Sequence, residues 1–287
     1  MKTTVVIVAR NERLLPATLE SIRKACPEAK TFVLDDASDT PIEGAQTRHD
    51  VARGCPTSRY LACQHVDTEM TLLMDSHMRV KPGDIETVCE VAKSTGGIAY
   101  AGCNGHYAAN LKLDCKILRA KWIDKPAGDV VATTAFMGAF YAIETERLRS
   151  IGGWLALPGI WGCDEEAMSI LATKHGIPIH AVVSVQTWHD FRNRPPYQSP
   201  YQSYQLNLAA MHRLLFEDST WAHWRNELAD LWLDDASGNL VHVPVPETVL
   251  AAIESPEWRD YGEQIRARCK LSDSEFFGKL SIDISNP

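Results

Sequence analysis

The chain has 287 residues, of which 45% are hydrophobic, and its formal net charge is -8. This length and apolar content suffice for one large folded core, which excludes a disordered chain. The sequence has no run of 18 apolar residues and no ordered secretory signal, so we expect no membrane span. The negative charge argues against broad nonspecific binding to duplex nucleic acid. Eight cysteines without a CxxC pair favour reduced thiols in a cytoplasmic protein over a disulfide scaffold or a zinc site.

The first hundred residues alternate between strand and helix patterns. Continuous apolar runs predict strands buried on both faces, at residues 5–8, 31–34, 70–74 and 98–103. Apolar residues at helical spacing predict helices at residues 14–25, 58–65 and 82–93, the last with Pro82 in an early helical position. This alternation predicts an α/β protein with a mostly parallel sheet, in which ligands bind at the carboxyl ends of strands.

The second half of the chain continues less regularly. An apolar, glycine-punctuated stretch covers residues 133–143, and helices are predicted at 144–151, 165–175 and 204–216. A strand at 179–185 leads to His189, and the proline- and tyrosine-rich segment 194–201 reads as a loop or lid. Apolar runs around Asp235-Ala236-Ser237-Gly238-Asn239 predict a hairpin within 231–245. We expect a catalytic domain at 1–200 and a helical and hairpin extension at 201–287.

Three side chains form a candidate metal site. Asp75 and His77 come directly after the predicted strand 70–74, and His189 follows the strand 179–185. One carboxylate and two imidazoles suit Mn²⁺ better than Mg²⁺, which prefers oxygen ligands throughout. The alternative is that Asp75 caps a turn and both histidines are ordinary surface groups. The sequence favours a metal-dependent enzyme that handles a nucleotide.

Several segments in the same order resemble the catalytic domain of polypeptide N-acetylgalactosaminyltransferases, which are GT-A fold nucleotide-sugar glycosyltransferases of family 27. They are Val6-Ile7-Val8-Ala9-Arg10-Asn11-Glu12, Val33-Leu34-Asp35-Asp36-Ala37-Ser38-Asp39, Leu73-Met74-Asp75-Ser76-His77, Gly138-Ala139-Phe140-Tyr141-Ala142-Ile143, Ile160-Trp161-Gly162-Cys163-Asp164-Glu165, and His189-Asp190-Phe191-Arg192 with Tyr197. The resemblance covers residues 3 to 200 and implies a GT-A, Rossmann-like mixed sheet flanked by helices, with a small C-terminal α/β appendage.

The resemblance also implies roles for individual residues. Asp75, His77 and His189 would hold Mn²⁺ on the diphosphate of a UDP-sugar, and Arg192 would stabilise the departing UDP. The residues implied for the nucleotide-sugar are Ala9, Arg10, Glu12, Asp36, Arg59, Ser76, Gly138, Trp161 and Tyr197. Simpler readings remain open: a turn cap at Asp36, a solvated helix position for Arg59, a pair with Asp190 for Arg192, and a packed surface turn at Tyr197.

The acidic pair Asp164 and Glu165 faces the acceptor in such enzymes. Capping of the following helix alone would also explain two acids there. If the enzyme inverts the anomeric centre, one of them is the base that takes the acceptor proton; if it retains, as family 27 does, they orient acceptor and sugar. Retention is favoured, although the acidic pair also resembles that of inverting family 2 enzymes.

The resulting expectation is a cytoplasmic, bacterial or phage hexosyltransferase that uses Mn²⁺, with Mg²⁺ as the alternative. It would move a hexose or N-acetylhexosamine to a hydroxyl of a protein, a glycan or a hydroxymethylated DNA base. One rival is a catalytically silent nucleotide-sugar-binding protein. A nucleotidyltransferase would need a glycine- and lysine-rich phosphate loop after the first strand, which Ala9-Arg10-Asn11-Glu12 does not provide.

Overall fold

The computed structural model describes residues 1–114, 116–192, 196–234 and 239–282. Its strands are β1 (Thr3–Ala9), β2 (Lys30–Asp35), β3 (Thr47–Arg48), β4 (Met70–Met74), β5 (Met78–Arg79), β6 (Ile98–Cys103), β7 (Ala108–Asp114), β8 (Ile117–Ile123), β9 (Val130–Thr133), β10 (Phe140–Glu144), β11 (Ile179–His189), β12 (Trp232–Asp234) and β13 (Leu240–His242). Its helices are α1 (Leu15–Ala25), α2 (Cys55–Cys63), α3 (Asp84–Thr95), α4 (Thr145–Ser150), α5 (Asp164–Lys174), α6 (Tyr201–Leu215), α7 (Asp218–Ala229), α8 (Glu247–Ile253), α9 (Pro256–Arg266) and α10 (Asp273–Leu280).

The central sheet runs in the order β3-β2-β1-β4-β10-β6-β11-β5, and β9 pairs with β11. Strands β1, β2, β3 and β4 are mutually parallel. Strand β10 is antiparallel to both β4 and β6, so β6 and its parallel neighbour β11 point the same way as β4. The predicted mixed, mostly parallel sheet is confirmed, and the carboxyl ends of β1, β2, β4, β6 and β11 share one edge.

Helices cover both faces of this sheet, which explains the continuous apolar strands. Along β1, Val5 and Ile7 pack into a core with α1 and α3. Val6, between them, packs into a second core with α2 and α5. Successive side chains of a strand point to opposite faces, so a strand between two cores needs apolar residues at every position.

Several predicted helix boundaries were wrong by two or three residues; α6, for example, begins at Tyr201 and not at 204, and the starts of α2 and α3 have a common cause. Helix α2 begins at Cys55, three residues before the predicted start at 58, because Gly54 turns the chain with a φ of 87°. Helix α3 begins at Asp84, and Pro82 lies outside it because Gly83 precedes the helix in the left-handed conformation. Both starts are set by a glycine at positive φ, which side-chain periodicity does not report.

Several elements had no counterpart in the sequence prediction. The largest is the antiparallel hairpin of β7 and β8, which pairs Ala108 with Ile123 and Asp114 with Ile117. The alternation in Asn110-Leu111-Lys112-Leu113-Asp114 is a strand signal that could have revealed it. The short strands β3, β5 and β9 and the helices α7 to α10 were also not predicted.

The C-terminal part consists of α6 to α10 and the β12–β13 hairpin. The predicted hairpin is confirmed by the pairing of Leu233 with Val241, while residues 235–238 of its predicted turn lie outside the described residues. Helix α6 packs against α5, α8 and α9, and its buried Leu208 and Met211 belong to the core that α2 and α5 share. The boundary near residue 200 stays a prediction. Among the described helices, none is long and apolar enough to cross a membrane.

Candidate functional site

The carboxyl edge of the sheet brings together residues from three strands. Asp36 directly follows β2, Asp75 follows β4, and His189 is the last residue of β11. Because β10 runs the other way, its preceding residues Gly138 and Ala139 reach the same edge, where the Ala139 carbonyl accepts a hydrogen bond from the Asp75 N–H at 3.1 Å.

Asp75, His77 and His189 converge as predicted. One ligand atom from each lies within 4.8 Å of the others. Asp75 Oδ2 lies 3.3 Å from His189 Nε2 and 3.9 Å from His77 Nε2, and the imidazole centroids are 4.7 Å apart. This spacing lets two ring nitrogens and one carboxylate oxygen face a common point.

The backbone around the two histidines is tied down. His77 precedes β5, and β5 pairs with the end of β11, so that Met78 lies opposite His189. Asn104 clamps His189 from the other side, donating to its carbonyl at 2.7 Å and accepting from its N–H at 3.0 Å. The sequence analysis missed Asn104, although Asn104-Gly105 after a strand is a recognisable turn signal.

Arg59 lies inside the site, bridging two carboxylates. Its guanidinium donates to Asp75 Oδ1 and to Asp164 Oδ2, and its side chain is only 7% exposed. Because Arg59 uses Oδ1, the second oxygen of Asp75 is left for the histidines. Burial alone would raise the pKa of Asp75, but Arg59 and the two histidines outweigh it and hold that pKa well below its usual range. The reading of Arg59 as a solvated helix residue is wrong.

Glu12 and Arg192 form a second pair next to the histidines. Arg192 donates two hydrogen bonds to Glu12, both at 2.8 Å, and a third from Nε to Asp190 at 3.0 Å. Burial alone would raise the pKa of Glu12, but His77, Arg192 and the Leu14 N–H together lower it to about 2. Glu12 is therefore an ionised carboxylate throughout the physiological range.

Asp36 is held in a cage of donors. Its Oδ1 accepts from the Arg53 N–H at 2.8 Å and the Ser58 hydroxyl at 3.0 Å, and lies 3.0 Å from His49 Nδ1. Among the described residues, its Oδ2 accepts a hydrogen bond from the Gly54 N–H alone, at 3.0 Å. One lone pair of Oδ2 therefore remains for a ligand.

These groups line one cavity of about 580 Å³, a size usual for sites that take small-molecule substrates. The predicted residues that line it are Arg10, Glu12, Asp36, Arg59, Asp75, Ser76, His77, Gly138, Trp161, Asp164, Glu165, His189, Arg192 and Tyr197. Ala9 is the exception: its side chain is buried away from the cavity, and only its carbonyl takes part, accepting from the Asp36 N–H at 2.9 Å. The Tyr197 ring lies 5.2 Å from the Arg10 guanidinium carbon, a contact that both the predicted role and the packed surface turn allow.

The acids at the start of α5 differ in their partners. Asp164 is paired with Arg59, whereas Glu165 accepts only a 3.3 Å hydrogen bond from the Ala139 N–H among the contacts of the described residues. Burial, and then repulsion from Asp164, raise the pKa of Glu165 well above its ordinary value.

The β7–β8 hairpin adds a wall that the sequence analysis did not anticipate. Arg119 and Trp122 of β8 line the cavity together with Tyr204 and with Phe191, whose ring centroid lies 4.5 Å from that of His189. Trp122 stacks on His106 with centroids 5.0 Å apart, and Trp161 at the rim is 55% exposed. The cavity therefore has aromatic as well as charged walls.

The three converging side chains fit a divalent cation by their chemistry. Two neutral imidazoles and one monodentate carboxylate are ligands that Mn²⁺ accepts. Nδ1 of both histidines is buried and lacks a hydrogen-bond partner within the described part of the chain. Arg59, which could compete with a metal ion for Asp75, binds Oδ1 and leaves Oδ2 on the side of the histidines.

The fold is shared with known enzymes. A crystal structure of GalNAc-T7 with UDP, GalNAc and Mn²⁺ matches 99% of this chain and 58% of that chain, with a TM-score of 0.71 and 17% identity. S. aureus TarS 1-349 in complex with UDP-GlcNAc matches 97% of this chain and 76% of that one, with a TM-score of 0.56 and 12% identity. A mannosyltransferase from Pyrobaculum calidifontis in complex with GDP-Man and Mn²⁺ matches 93% of this chain and 84% of that one, with a TM-score of 0.50 and 14% identity.

No family model and no curated protein sequence matches the chain. The chain spans little more than half the length of GalNAc-T7. At these identities the similarity defines the fold, and the protein has the GT-A fold expected from the sequence.

Proposed function

We propose that the protein is a Mn²⁺-dependent glycosyltransferase that moves a hexose or N-acetylhexosamine from a UDP-sugar to a hydroxyl acceptor. The observation that carries this proposal is the convergence of Asp75, His77 and His189 in the cavity that Arg192 also lines. The solved structures of the same fold add support, because two of them hold a uridine nucleotide and two hold Mn²⁺.

Asp36 supports uridine over guanosine as the base. A guanine edge offers two neighbouring N–H groups to a carboxylate and needs both oxygens, whereas the uracil edge offers a single N–H. Within the described part of the chain, Asp36 Oδ1 already has three polar partners, and Oδ2 has one. The remaining lone pair on Oδ2 suits the single donor of uracil.

The leaving group is the part of the reaction that the site addresses. Asp75, His77 and His189 would hold the Mn²⁺, which supplies positive charge to the diphosphate as the bond to the sugar breaks. Arg192 has five N–H donors, and Glu12 and Asp190 occupy three of them; no other described residue takes the remaining two, which can serve phosphate oxygens. These donors are held in place before the reaction, which is the arrangement that stabilises developing charge most effectively.

The contacts of the two acids support retention of the anomeric configuration over inversion. An inverting enzyme needs an ionised base facing the acceptor. Asp164 is committed to Arg59, and the raised pKa of Glu165 favours its protonated form. Asp164 is paired and burial disfavours ionisation of Glu165, so both acids are better suited to orienting the sugar and the acceptor.

The test is a panel of UDP-sugars, with GDP-mannose beside them, assayed for nucleotide release with Mn²⁺, with Mg²⁺ and with EDTA. We expect release from a UDP-sugar that requires Mn²⁺ and is abolished by Asp75→Ala and by His189→Ala. His242→Ala, which removes a half-exposed histidine of β13, is the matched control and should keep full turnover.

Two outcomes would contradict the proposal. Turnover that survives in both Asp75→Ala and His189→Ala excludes the metal site. Binding of Mn²⁺ and UDP without any hydrolysis or transfer would identify the rival, a silent nucleotide-sugar-binding protein. NMR of the product anomer with the best donor, followed by mass spectrometry of candidate protein, glycan and modified-DNA acceptors, then decides stereochemistry and acceptor.

A further inference from the structure

Glu12 lines the cavity, but both of its carboxylate oxygens already have partners within the protein. Its side chain is 2% exposed and lies in the turn after β1. Oε1 accepts from the Leu14 N–H at 2.9 Å and from Arg192 Nη2 at 2.8 Å. Oε2 accepts from Arg192 Nη1 at 2.8 Å and lies 3.2 Å from His77 Nδ1. Each oxygen therefore has two polar neighbours, which is what its lone pairs can serve.

The contact with His77 determines which of its ring nitrogens faces Asp75. Nδ1 is turned towards Glu12, so Nε2 is the nitrogen on the Asp75 side, 3.9 Å from Oδ2. At 3.2 Å, Nδ1 and Glu12 Oε2 are within hydrogen-bonding distance, although Nδ1 has no hydrogen bond of good geometry within the described residues. A carboxylate on the second nitrogen is the usual device that fixes the tautomer and the orientation of a metal-binding histidine.

The contact with Arg192 fixes the position of its guanidinium in the site. Arg192 belongs to the segment after β11, 180 residues from Glu12 along the chain, and its guanidinium meets the carboxylate in a fork of two parallel hydrogen bonds. Such bidentate pairs are strong and geometrically specific. One buried carboxylate thus touches both a candidate metal ligand and the candidate leaving-group arginine.

We propose that Glu12 is a positioning residue that sets His77 and Arg192 in a common geometry, and that it makes no contact with the donor. This rests on the proposed function, since it assigns Glu12 a role towards the Mn²⁺ and diphosphate sites. The pairing aims the metal ligand and the arginine at the same phosphate groups before any substrate arrives.

The test measures binding rather than turnover. Mn²⁺ affinity is followed by EPR of the free ion, and UDP affinity by calorimetry at saturating Mn²⁺. Glu12→Gln places amide hydrogens against Arg192 and removes the charge facing His77. We expect its Mn²⁺ affinity to fall by about 10- to 100-fold, the usual effect of losing a partner behind a metal ligand, and its UDP affinity to fall as well.

Asp190→Asn is the matched control, because Asp190 pairs with Arg192 through Nε and its carboxylate makes no ion pair with His77. It should weaken UDP binding and leave Mn²⁺ affinity unchanged. If Glu12→Gln does not fold, Glu12→Asp is measured in its place. This variant keeps the charge but shortens the side chain, and it should also lower Mn²⁺ affinity.

The outcomes separate the two proposals. Wild-type protein that binds no Mn²⁺ overturns the proposed function, and the positioning role with it. Wild-type protein that binds Mn²⁺, with equal affinity in the folded Glu12 variants, overturns the positioning role and leaves the proposed function standing. A Glu12 variant that loses UDP affinity but keeps Mn²⁺ affinity also overturns the positioning role, because that role requires Glu12 to act on both His77 and Arg192.

Discussion

Arg59 donates to Asp75 through Oδ1, and the other oxygen of this carboxylate points towards the two histidines. The same guanidinium also reaches Asp164 at the start of α5, and it lies over the rings of Tyr141 and Trp154. One buried cation therefore links the histidine side of the cavity to the acidic side. Its position determines which oxygen of Asp75 is available.

Arg59→Met should destabilise the protein by about 3–5 kcal/mol, because it leaves two poorly exposed carboxylates without a cation. Mn²⁺ should recover part of this loss by supplying positive charge beside Asp75. Urea unfolding with and without Mn²⁺ measures both effects. Arg23→Met, which breaks an exposed pair with Glu20, is the control and should cost at most about 1 kcal/mol. Equal costs for the two variants would show that Arg59 does not stabilise the site.

Gly54 joins the Asp36 cage to the loop before α5. Its N–H donates to Asp36 Oδ2, its φ is 87°, and an added Cβ would lie 2.5 Å from the Gly159 carbonyl oxygen. Gly54→Ala should cost about 4 kcal/mol through backbone strain and overpacking together, and it should weaken UDP binding.

Gly44→Ala is the comparison for this prediction. Gly44 also has a positive φ, of 78°, but its added Cβ would meet nothing within 4 Å. It should cost about 1 kcal/mol from the left-handed backbone alone and leave UDP affinity intact. If thermal and urea unfolding give both variants the same cost, the contact with Gly159 has no energetic importance.

The burial of His212 should make the stability of the protein depend on pH. This histidine is fully buried between the rings of Phe216 and Trp224, and burial lowers its pKa to about 3. The unfolded chain binds the proton below pH 6.5 while the folded protein does not, so stability falls as pH drops from 6.5 towards 3. At pH 4.5 this difference in proton binding lowers the free energy of unfolding by about 3 kcal/mol.

His212→Leu should remove this part of the pH dependence, and His223→Gln, one ring away, should retain it. The measurement is the difference in urea unfolding free energy between each variant and the wild type from pH 7.5 to 4.5. A slope that is identical in His212→Leu and in the wild type would rule out the buried neutral histidine.

Lys174 and Asp273 tie the C-terminal part to α5. The Lys174 ammonium donates to Asp273 and to the Leu215 carbonyl, and Asp273 also accepts from the Glu217 N–H. Asp273→Ala should cost about 3–5 kcal/mol because it strands a buried cation. The double variant Lys174→Met with Asp273→Asn should cost much less, since it removes the charges and keeps an acceptor for Glu217. Additive costs in a double-mutant cycle would show that the pair is not coupled.

The order of strands and helices was predictable because each depends on residues close together in the chain. The runs at 5–8 and 70–74 are apolar at every position, and a strand between two packed layers requires this. The convergence of Asp75, His77 and His189 was predictable for a related reason: carboxyl ends of parallel strands meet at one edge.

Other features depend on contacts that no local pattern encodes. Arg59 meets Asp75 and Asp164 across 16 and 105 residues of chain, and Glu12 meets Arg192 across 180. The starts of α2 and α3 depend on the positive φ angles of Gly54 and Gly83 rather than on side-chain periodicity.

The sequence by itself therefore determined the fold class and the candidate metal-binding triad, because hydrophobic periodicity and strand direction are local properties that carry long-range consequences. Only the tertiary structure decided how charge is distributed within the site: which oxygen of Asp75 is free, which acid is paired, and which donors of Arg192 remain. Those outcomes depend on the distances between buried charges brought together by folding, since electrostatic interactions depend on separation in space and not along the chain.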